Sequence, residues 1–143
     1  MADVFISYSR KHKEFVGRLH EALKQRERDT WVDWEGIPPS AEWQNEIYAA
    51  IDAAHSFVFV IGPDSVKSDN CLKEVAHAIE RNKRLIPLVR QGVPLEVIPD
   101  ALRKLNWITF RDTDNFDAAF NLLIKALDTD LDYLRAHTRL LTR

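Results

Sequence analysis

The stretch SDNCLKEV, residues 68–75, contains the carboxylate that is the first candidate for chemistry in this sequence. It follows the apolar run FVFVIGP, and a helix is predicted to begin there. The carboxylate of Glu74 could stabilise a developing positive charge. The apolar residues of that helix nevertheless leave Glu74 off its buried side, so periodicity alone predicts a solvated residue. The residues predicted to face inward are Cys71, Leu72, Val75, Ala76 and Ile79.

The sequence lacks the residue patterns of metal sites, serine hydrolases, glycine-rich phosphate loops and response-regulator receivers. The five histidines, at positions 12, 20, 55, 77 and 137, lack metal-ligand spacing, so no metal site is expected. No G-x-S-x-G, G-x-G-x-x-G or P-loop motif occurs, which argues against a serine hydrolase and against a glycine-rich phosphate loop. A response-regulator receiver needs acidic residues after its first and third strands, and only Asp64 is available. No cofactor is therefore expected.

The composition is typical of one soluble globular domain. The chain has 143 residues, of which 45% are hydrophobic and 29% charged, and this length suffices for one core. A net charge of −2 provides no basic surface for nucleic acid or for a membrane. The single cysteine excludes an internal disulfide, and the longest apolar run is far shorter than the ~20 residues that span a bilayer. We expect a cytoplasmic location.

The hydrophobic pattern alternates between strands and helices. Strands are predicted at 3–9, 29–34, 56–62, 84–89 and 106–110, and helices at 11–26, after a capping Ser40, at 69–82 and at 115–127. This alternation predicts an α/β fold: a flavodoxin-like, doubly wound, five-stranded parallel sheet of order 2-1-3-4-5, flanked by helices. Ligands bind such sheets beyond the carboxyl ends of the strands. Pro87 suggests that the fourth strand lies at an edge or is irregular.

The last sixteen residues, 128–143, are separated from a predicted domain at 1–127. Leucines continue a helical spacing through this tail, and Thr129 or Asp130 could cap a new helix. One interpretation is a closing helix that packs on the domain. The other is a linker toward a further domain.

Three stretches resemble the TIR (Toll/interleukin-1 receptor) domains of bacterial immune and signalling proteins, such as those of antiphage defence. They are DVFISYSRKHKEFVGRLHEAL, WVDWEGIPPSAEWQNEIYAAI and FVFVIGPDSVKSDNCLKEVAHAI, the last with the spacing S-x-x-C-x-x-E. The resemblance covers about residues 2–127. It implies the flavodoxin-like sheet already predicted, and either of two functions. Some members cleave NAD⁺ at the nicotinamide–ribose bond, whereas others are non-catalytic scaffolds that assemble through TIR–TIR contacts.

In the enzymatic class, the resemblance places the catalytic glutamate at Glu74, with NAD⁺ as substrate. One carboxylate is chemically adequate, because the cationic pyridinium of NAD⁺ leaves as neutral nicotinamide and needs no general acid. The resemblance therefore favours catalysis over the solvated residue that periodicity predicts. Cys71 lies beside the implied pocket, where a small buried hydrophobic residue is a better interpretation than a nucleophile. Asn70 replaces an aromatic residue that many active members carry next to the nicotinamide.

The resemblance also implies a nucleotide-facing loop after the first strand, formed by Ser7, Tyr8, Ser9 and Arg10. Ser9 could equally be an ordinary helix cap. The loop of the second stretch carries Trp34, which the resemblance places both at the substrate and at a self-association surface.

The same loop contributes Gly36, Ile37 and Pro38 to that predicted self-association surface. The alternative for Trp34 and Ile37, that they fold back on the core, remains open. Trp43 begins a helical apolar stripe and is predicted to lie in the core. Gly62-Pro63 stands where many members have Ser-Pro.

Overall fold

The computed structural model describes residues 3–34 and 40–141, with side chains up to residue 129. Its strands are β1 (Val4–Ser7), β2 (Thr30–Trp31), β3 (Ser56–Ile61), β4 (Arg84–Val89) and β5 (Ile108–Thr109). Its helices are α1 (Lys13–Gln25), α2 (Ala41–Ala53), α3 (Asp69–Glu80), α4 (Asp100–Arg103) and α5 (Phe116–Leu141). Single 3₁₀ turns at Arg10–His12 and Ser65–Lys67 precede α1 and α3.

The five strands form one parallel sheet of order β2-β1-β3-β4-β5, which confirms the predicted fold class. β3 is buried along its whole length, as its continuous apolar run predicts. The predicted strands at 29–34 and 106–110 are wrong in length, because β2 and β5 each pair over only two residues. Both are edge strands with a single neighbour.

Two hydrophobic cores cover the two faces of the sheet. Alternation along β3 sends Val58 and Val60 to the face covered by α1 and α5, and Phe57 and Phe59 to the face covered by α2 and α3. β1 divides its side chains in the same way. Each face is therefore closed by helices, as a doubly wound sheet requires. No helix in the described part of the chain is long and apolar enough to cross a membrane.

The buried side of α3 differs from the prediction. Cys71, Val75 and Ala78 are buried, at a spacing of four and three residues. Ala76 and Ile79 were predicted to face inward, but both are exposed. The flank of α3 that is buried is thus the one that carries Cys71, whose thiol meets the carbonyl of Tyr8 at the end of β1.

Pro87 lies in an interior strand, so the predicted edge position is wrong. The carbonyl of Val89 accepts from the N–H of Phe110, so residue 89, and by alternation residue 87, points toward β5. Pairing with β5 begins only at Leu88. The missing N–H of proline therefore costs no ladder hydrogen bond.

The tail does not begin a new helix. α5 continues without interruption from Phe116 to Leu141, through the predicted boundary at 127. The Thr129 hydroxyl donates to the carbonyl of Lys125, 2.8 Å away, as a residue inside a helix does. Capping by Thr129 or Asp130 is thus wrong, while the assignment of 1–127 as the domain stays a prediction.

The turn between β3 and α3 depends on one buried hydroxyl. Ser65 Oγ accepts from the N–H of Gly62 at 3.0 Å and donates to the carbonyl of Val60 at 2.7 Å. Gly62 is also a position of close approach, because a Cβ there would lie 2.6 Å from Nε2 of the buried His12. The space of a serine side chain at position 62 is thus occupied by His12.

Removing the Ser65 hydroxyl should destabilise the fold. In Ser65→Ala, the buried N–H of Gly62 loses its acceptor, and we expect a loss of about 1–3 kcal/mol in the free energy of unfolding. Urea denaturation measures this loss. The matched control is Thr129→Ala, which removes an exposed hydroxyl and should change stability by less than about 0.5 kcal/mol. Similar losses in both variants would contradict the role assigned to Ser65.

Candidate functional site

A cavity of about 430 Å³ lies beyond the carboxyl ends of β1 and β2, against α2 and α3. Most of the residues that the sequence predicted for the site line it: Tyr8, Ser9, Arg10, Asn70, Cys71 and Glu74. They come from the loop after β1 and from the first turns of α3. The position is that of ligand sites in open α/β sheets.

Two hydrogen bonds hold the first turn of α3 in place. The Ser68 side chain accepts from the N–H of Cys71 at 3.2 Å and so caps the helix. The thiol of Cys71 lies 3.4 Å from the carbonyl of Tyr8 and can donate to it. Cys71 is buried, as predicted, and burial raises the pKa of its thiol. It therefore remains a protonated residue that joins α3 to the end of β1.

Glu74 lies one turn after Cys71, on the flank of α3 that faces the end of β1. Its carboxyl is partly buried, so the solvated residue that periodicity predicted is wrong. Burial raises its pKa from 4.5 to about 7, the neighbouring Ser7 hydroxyl acts against that rise, and the charge of Asp33 adds to it. Near neutral pH this carboxyl is thus poised between its protonated and ionised forms.

Ser7 ends β1 and is almost fully buried. Its hydroxyl neighbours both Glu74 and Cys71 and lowers the pKa of each. No atom of the described residues meets full hydrogen-bond geometry with Ser7 Oγ. The hydroxyl of Ser7 can therefore donate its one proton to Glu74 when that carboxyl is ionised.

Tyr8 joins the floor of the cavity to the segment after β2. Its hydroxyl donates to the backbone carbonyl of Asp33 at 2.8 Å, and burial raises the pKa of its phenol. Asp33 was not predicted from the sequence, although it follows β2 as Tyr8 follows β1. Lys11, Trp31, Gln44 and Asp64 also line the cavity without having been predicted for the site.

Both tryptophans pack against a core, as the sequence predicted for Trp43 and as one of the two alternatives had it for Trp34. Trp34 does not line this cavity: its ring lies 6.3 Å from that of Tyr8 and edge-on to His20 at 5.3 Å, against the core under α1. Trp43 contacts the other core, 6.0 Å from Trp31, but it also lines the cavity. Gly36, Ile37 and Pro38 lie outside the described residues.

The cavity wall carries charges of both signs. Arg10 and Lys11 lie on the β1 side, and Lys11 forms an exposed ion pair of 3.5 Å with Asp64. Glu74 and Asp33 also line the cavity and supply negative charge. Within residues 3–34 and 40–129 no group of three or more potential ligands could hold a metal ion. A cationic ring beside Glu74 and an anion beside Arg10 and Lys11 would match this distribution.

The chain belongs to the TIR domain family, whose model matches residues 4–124. It is similar in fold to the TIR domain of the Toll-related receptor TRR-2 from Hydra magnipapillata, with a TM-score of 0.75 and 20% identity over 90% of this chain and 99% of that one. The TIR domains of the activated Roq1 resistosome, described as recognising the pathogen effector XopQ, give a TM-score of 0.69 and 19% identity over 89% and 99%.

A third similar structure is the Clostridium botulinum CMP N-glycosidase BcmB, with a TM-score of 0.61 and 16% identity over 85% and 98% of the two chains. At these identities the solved structures establish a shared fold. Comparison with curated proteins gives no match.

The raised pKa of Glu74 should make stability depend on pH. Below about pH 4.5 the carboxyl is protonated in both states, whereas ionisation at higher pH costs more in the folded chain. Wild type should therefore lose stability relative to Glu74→Gln, on the order of 2 kcal/mol, as the pH rises from about 5 to about 8. Urea unfolding at both pH values measures the difference.

Glu80→Gln is the control, because it neutralises an exposed glutamate on the same helix. A stability difference between wild type and Glu74→Gln that stays constant with pH would contradict the raised pKa.

Proposed function

We propose that this TIR domain is an NAD⁺ glycohydrolase, which cleaves the nicotinamide–ribose bond to give ADP-ribose or a cyclic product. The observation that carries the proposal is the carboxyl of Glu74, desolvated in a cavity beyond the carboxyl ends of the strands. A buried carboxyl with a perturbed pKa in a cleft is a typical candidate for catalysis. The resemblance of the spacing S-x-x-C-x-x-E to that of the enzymatic members supports the same residue as their catalytic glutamate.

The proposed reaction needs one carboxylate. The bond from ribose C1′ to the pyridinium nitrogen breaks, and its electron pair neutralises the nicotinamide that leaves. Positive charge then develops on the ribose, and ionised Glu74 stabilises it in a cavity where screening by water is weak. Water adds to C1′ and releases a proton, or a nucleophile of the same substrate closes a ring.

Neighbouring residues would bind and orient the substrate. The Ser7 hydroxyl favours the ionised form of Glu74, which is the reactive form. Arg10 and Lys11 are suited to the pyrophosphate. Asn70 offers an amide to the carboxamide of nicotinamide, and Trp43 offers an aromatic surface in the same cavity, in place of the aromatic residue absent at position 70.

We further propose that self-association through TIR–TIR contacts activates the chain. The Roq1 TIR domains are described as part of a resistosome, and this supports assembly as a property of the family. The proposed contact is the loop with Trp34, Gly36, Ile37 and Pro38. A non-catalytic scaffold is the second candidate, favoured by Asn70, because a weaker stacking surface for nicotinamide disfavours turnover.

The activity should depend on Glu74 and not on charge in α3 generally. Chromatography of concentrated or crowded wild-type chain with NAD⁺ should show nicotinamide release. Glu74→Ala should lower the rate by at least about a hundredfold, since it removes the group that stabilises the transition state. Glu80→Ala is the matched control and should retain the wild-type rate. Equal turnover by wild type and Glu74→Ala would contradict the catalytic role.

Ile37→Asp in the same assay separates enzyme from scaffold. If assembly activates the enzyme, this variant loses both self-association, measured by light scattering, and NAD⁺ cleavage. A wild type that assembles through this loop but leaves NAD⁺ intact at every concentration would favour the scaffold. Self-association that survives the substitution would exclude the loop as the contact.

A further inference from the structure

His12 is the last residue of the 3₁₀ turn between β1 and α1, and it is almost fully buried. Its N–H donates to the carbonyl of Ser9 at 2.9 Å, which closes the turn. The ring nitrogen Nε2 is buried and has no hydrogen-bond partner among the described residues. It lies against the backbone after β3, because a Cβ added to Gly62 would be 2.6 Å from it. The ring of His12 therefore holds the turn against the end of β3 by packing.

This position favours the neutral imidazole. A protonated ring carries an N–H at both nitrogens, and the described residues supply no acceptor for the buried Nε2. Burial lowers the pKa of His12, and the charge of Arg90 lowers it further. The charges of Asp64 and Asp112 act on that pKa in the opposite direction, and a lysine flanks His12 on each side in the chain. Protonation therefore destabilises the packed position of the ring.

A second cavity, of about 480 Å³, adjoins His12 on the face of the sheet covered by α1 and α5. In its wall the guanidinium carbon of Arg18 lies 3.8 Å from the centroid of the Phe116 ring. Carboxylates and access to water stabilise a protonated imidazole. The cavity therefore offers the charged ring of His12 an environment that the space beside Gly62 lacks. Three carboxylates line it: Glu14, Asp112 and Asp114.

The turn that His12 anchors also carries Arg10 and Lys11, which line the first cavity. The other side-chain attachments of the turn are exposed. The N–H of Lys11 lies 3.4 Å from Ser9 Oγ, and the ion pair of Lys11 with Asp64 measures 3.5 Å. Exposed ion pairs contribute little to stability. The position of both cations therefore depends on the buried ring.

We propose that His12 is a positioning residue that makes the first cavity sensitive to acid. The neutral ring packs against Gly62 and holds Arg10 and Lys11 at the cavity. The protonated ring leaves this position for the second cavity, and the turn moves with it. Binding of an anionic substrate then weakens at low pH, whatever the charge of Glu74. The identity of that substrate rests on the proposed function, whereas the movement of the turn does not.

Nuclear magnetic resonance of the 143-residue chain follows the ring and the turn separately. The ring protons of His12 and the backbone amides of Arg10 and Lys11 are recorded from about pH 8 to about pH 5. The background is Glu74→Gln, which removes the titration of that carboxyl. We expect all three residues to change with one common midpoint below 6.5, the ordinary value for histidine.

Removal of the imidazole should abolish the transition of the turn. In His12→Gln, on the same background, the amides of Arg10 and Lys11 should show no change with that midpoint. His55→Gln is the matched control, because it removes an exposed histidine and leaves the ring of His12 in place. The transition should persist there unchanged.

Gly62→Ala should reproduce the acid state at about pH 8. The added methyl group would lie too close to Nε2, so the ring of His12 moves into the second cavity. The amides of Arg10 and Lys11 should then match those of the parent at about pH 5. His12 should titrate at higher pH than in the parent, because its ring is no longer buried. Gly92→Ala is the control, since a Cβ there meets no atom of the described residues within 4 Å.

Calorimetric titration with NAD⁺ tests the consequence for the first cavity. In Glu74→Gln the affinity should fall about tenfold between about pH 8 and about pH 5, because charge-assisted contacts with the pyrophosphate are lost. With His12→Gln added, the affinity should stay constant over this range. If NAD⁺ does not bind while the turn still moves with His12, the proposed function falls and the positioning role stands.

Other outcomes overturn the positioning role. They are a transition of His12 that leaves the amides of Arg10 and Lys11 unmoved, a midpoint at or above 6.5, and a turn transition that survives His12→Gln. Equal spectra for Gly62→Ala and Gly92→Ala would refute the packing of the ring against position 62. An acid-dependent loss of NAD⁺ affinity of the same size with and without His12 would assign that loss to another group.

Discussion

The proposed site depends on the attachment of α3 to the end of β1, because this attachment shields the carboxyl of Glu74 from much of the surrounding water. The Ser68 cap fixes the first turn of α3, and the thiol of Cys71 meets the carbonyl of Tyr8. Glu74, one turn later, is thereby held beside the buried hydroxyl of Ser7. Burial penalises its ionisation and raises its pKa, while water exclusion strengthens its attraction for a cation. The same desolvation that weakens the fold at higher pH suits the carboxylate to the proposed catalysis.

The doubly wound sheet explains why two cavities lie at one end of the molecule. β1 is central to the arrangement, since it sends alternate side chains into both cores and ends in the loop that separates the cavities. α1 leaves β1 on one face, while α3 leaves β3 on the other. The helices thus diverge to the two faces of the sheet beside β1 and β3, the switch point of the doubly wound fold, and a cavity lies on each face there.

The sheet and its order could be predicted from the sequence, because buried parallel strands have continuous apolar runs and their alternation with helices limits the topology. The loop after β1 and the start of α3 could be placed at one site for the same reason. The burial of Glu74 could not be predicted from α3 alone. It results from the end of β1, which is distant in sequence and covers that flank of the helix.

The contact between Arg18 and Phe116 could not be predicted from local sequence patterns either, because the two residues are almost a hundred positions apart. Trp34 was predicted to bind the substrate because of the loop that carries it. The side of the sheet on which its ring lies depends, however, on the path of the chain after β2. The edge strands were predicted too long, because the β-strand propensity of a segment does not depend on whether the strand has one neighbour or two.

The dependence of NAD⁺ cleavage on pH tests the central claim most directly. The rate of NAD⁺ loss is measured from about pH 5 to about pH 9 for assembled wild type and for Ser7→Ala. If ionised Glu74 is the catalyst, kcat/KM rises with pH through a midpoint near 7. In Ser7→Ala the midpoint moves to higher pH, because the hydroxyl that can donate to the ionised carboxylate is lost. A rate that stays constant or falls through this range, or a midpoint that Ser7→Ala leaves unmoved, would contradict the account.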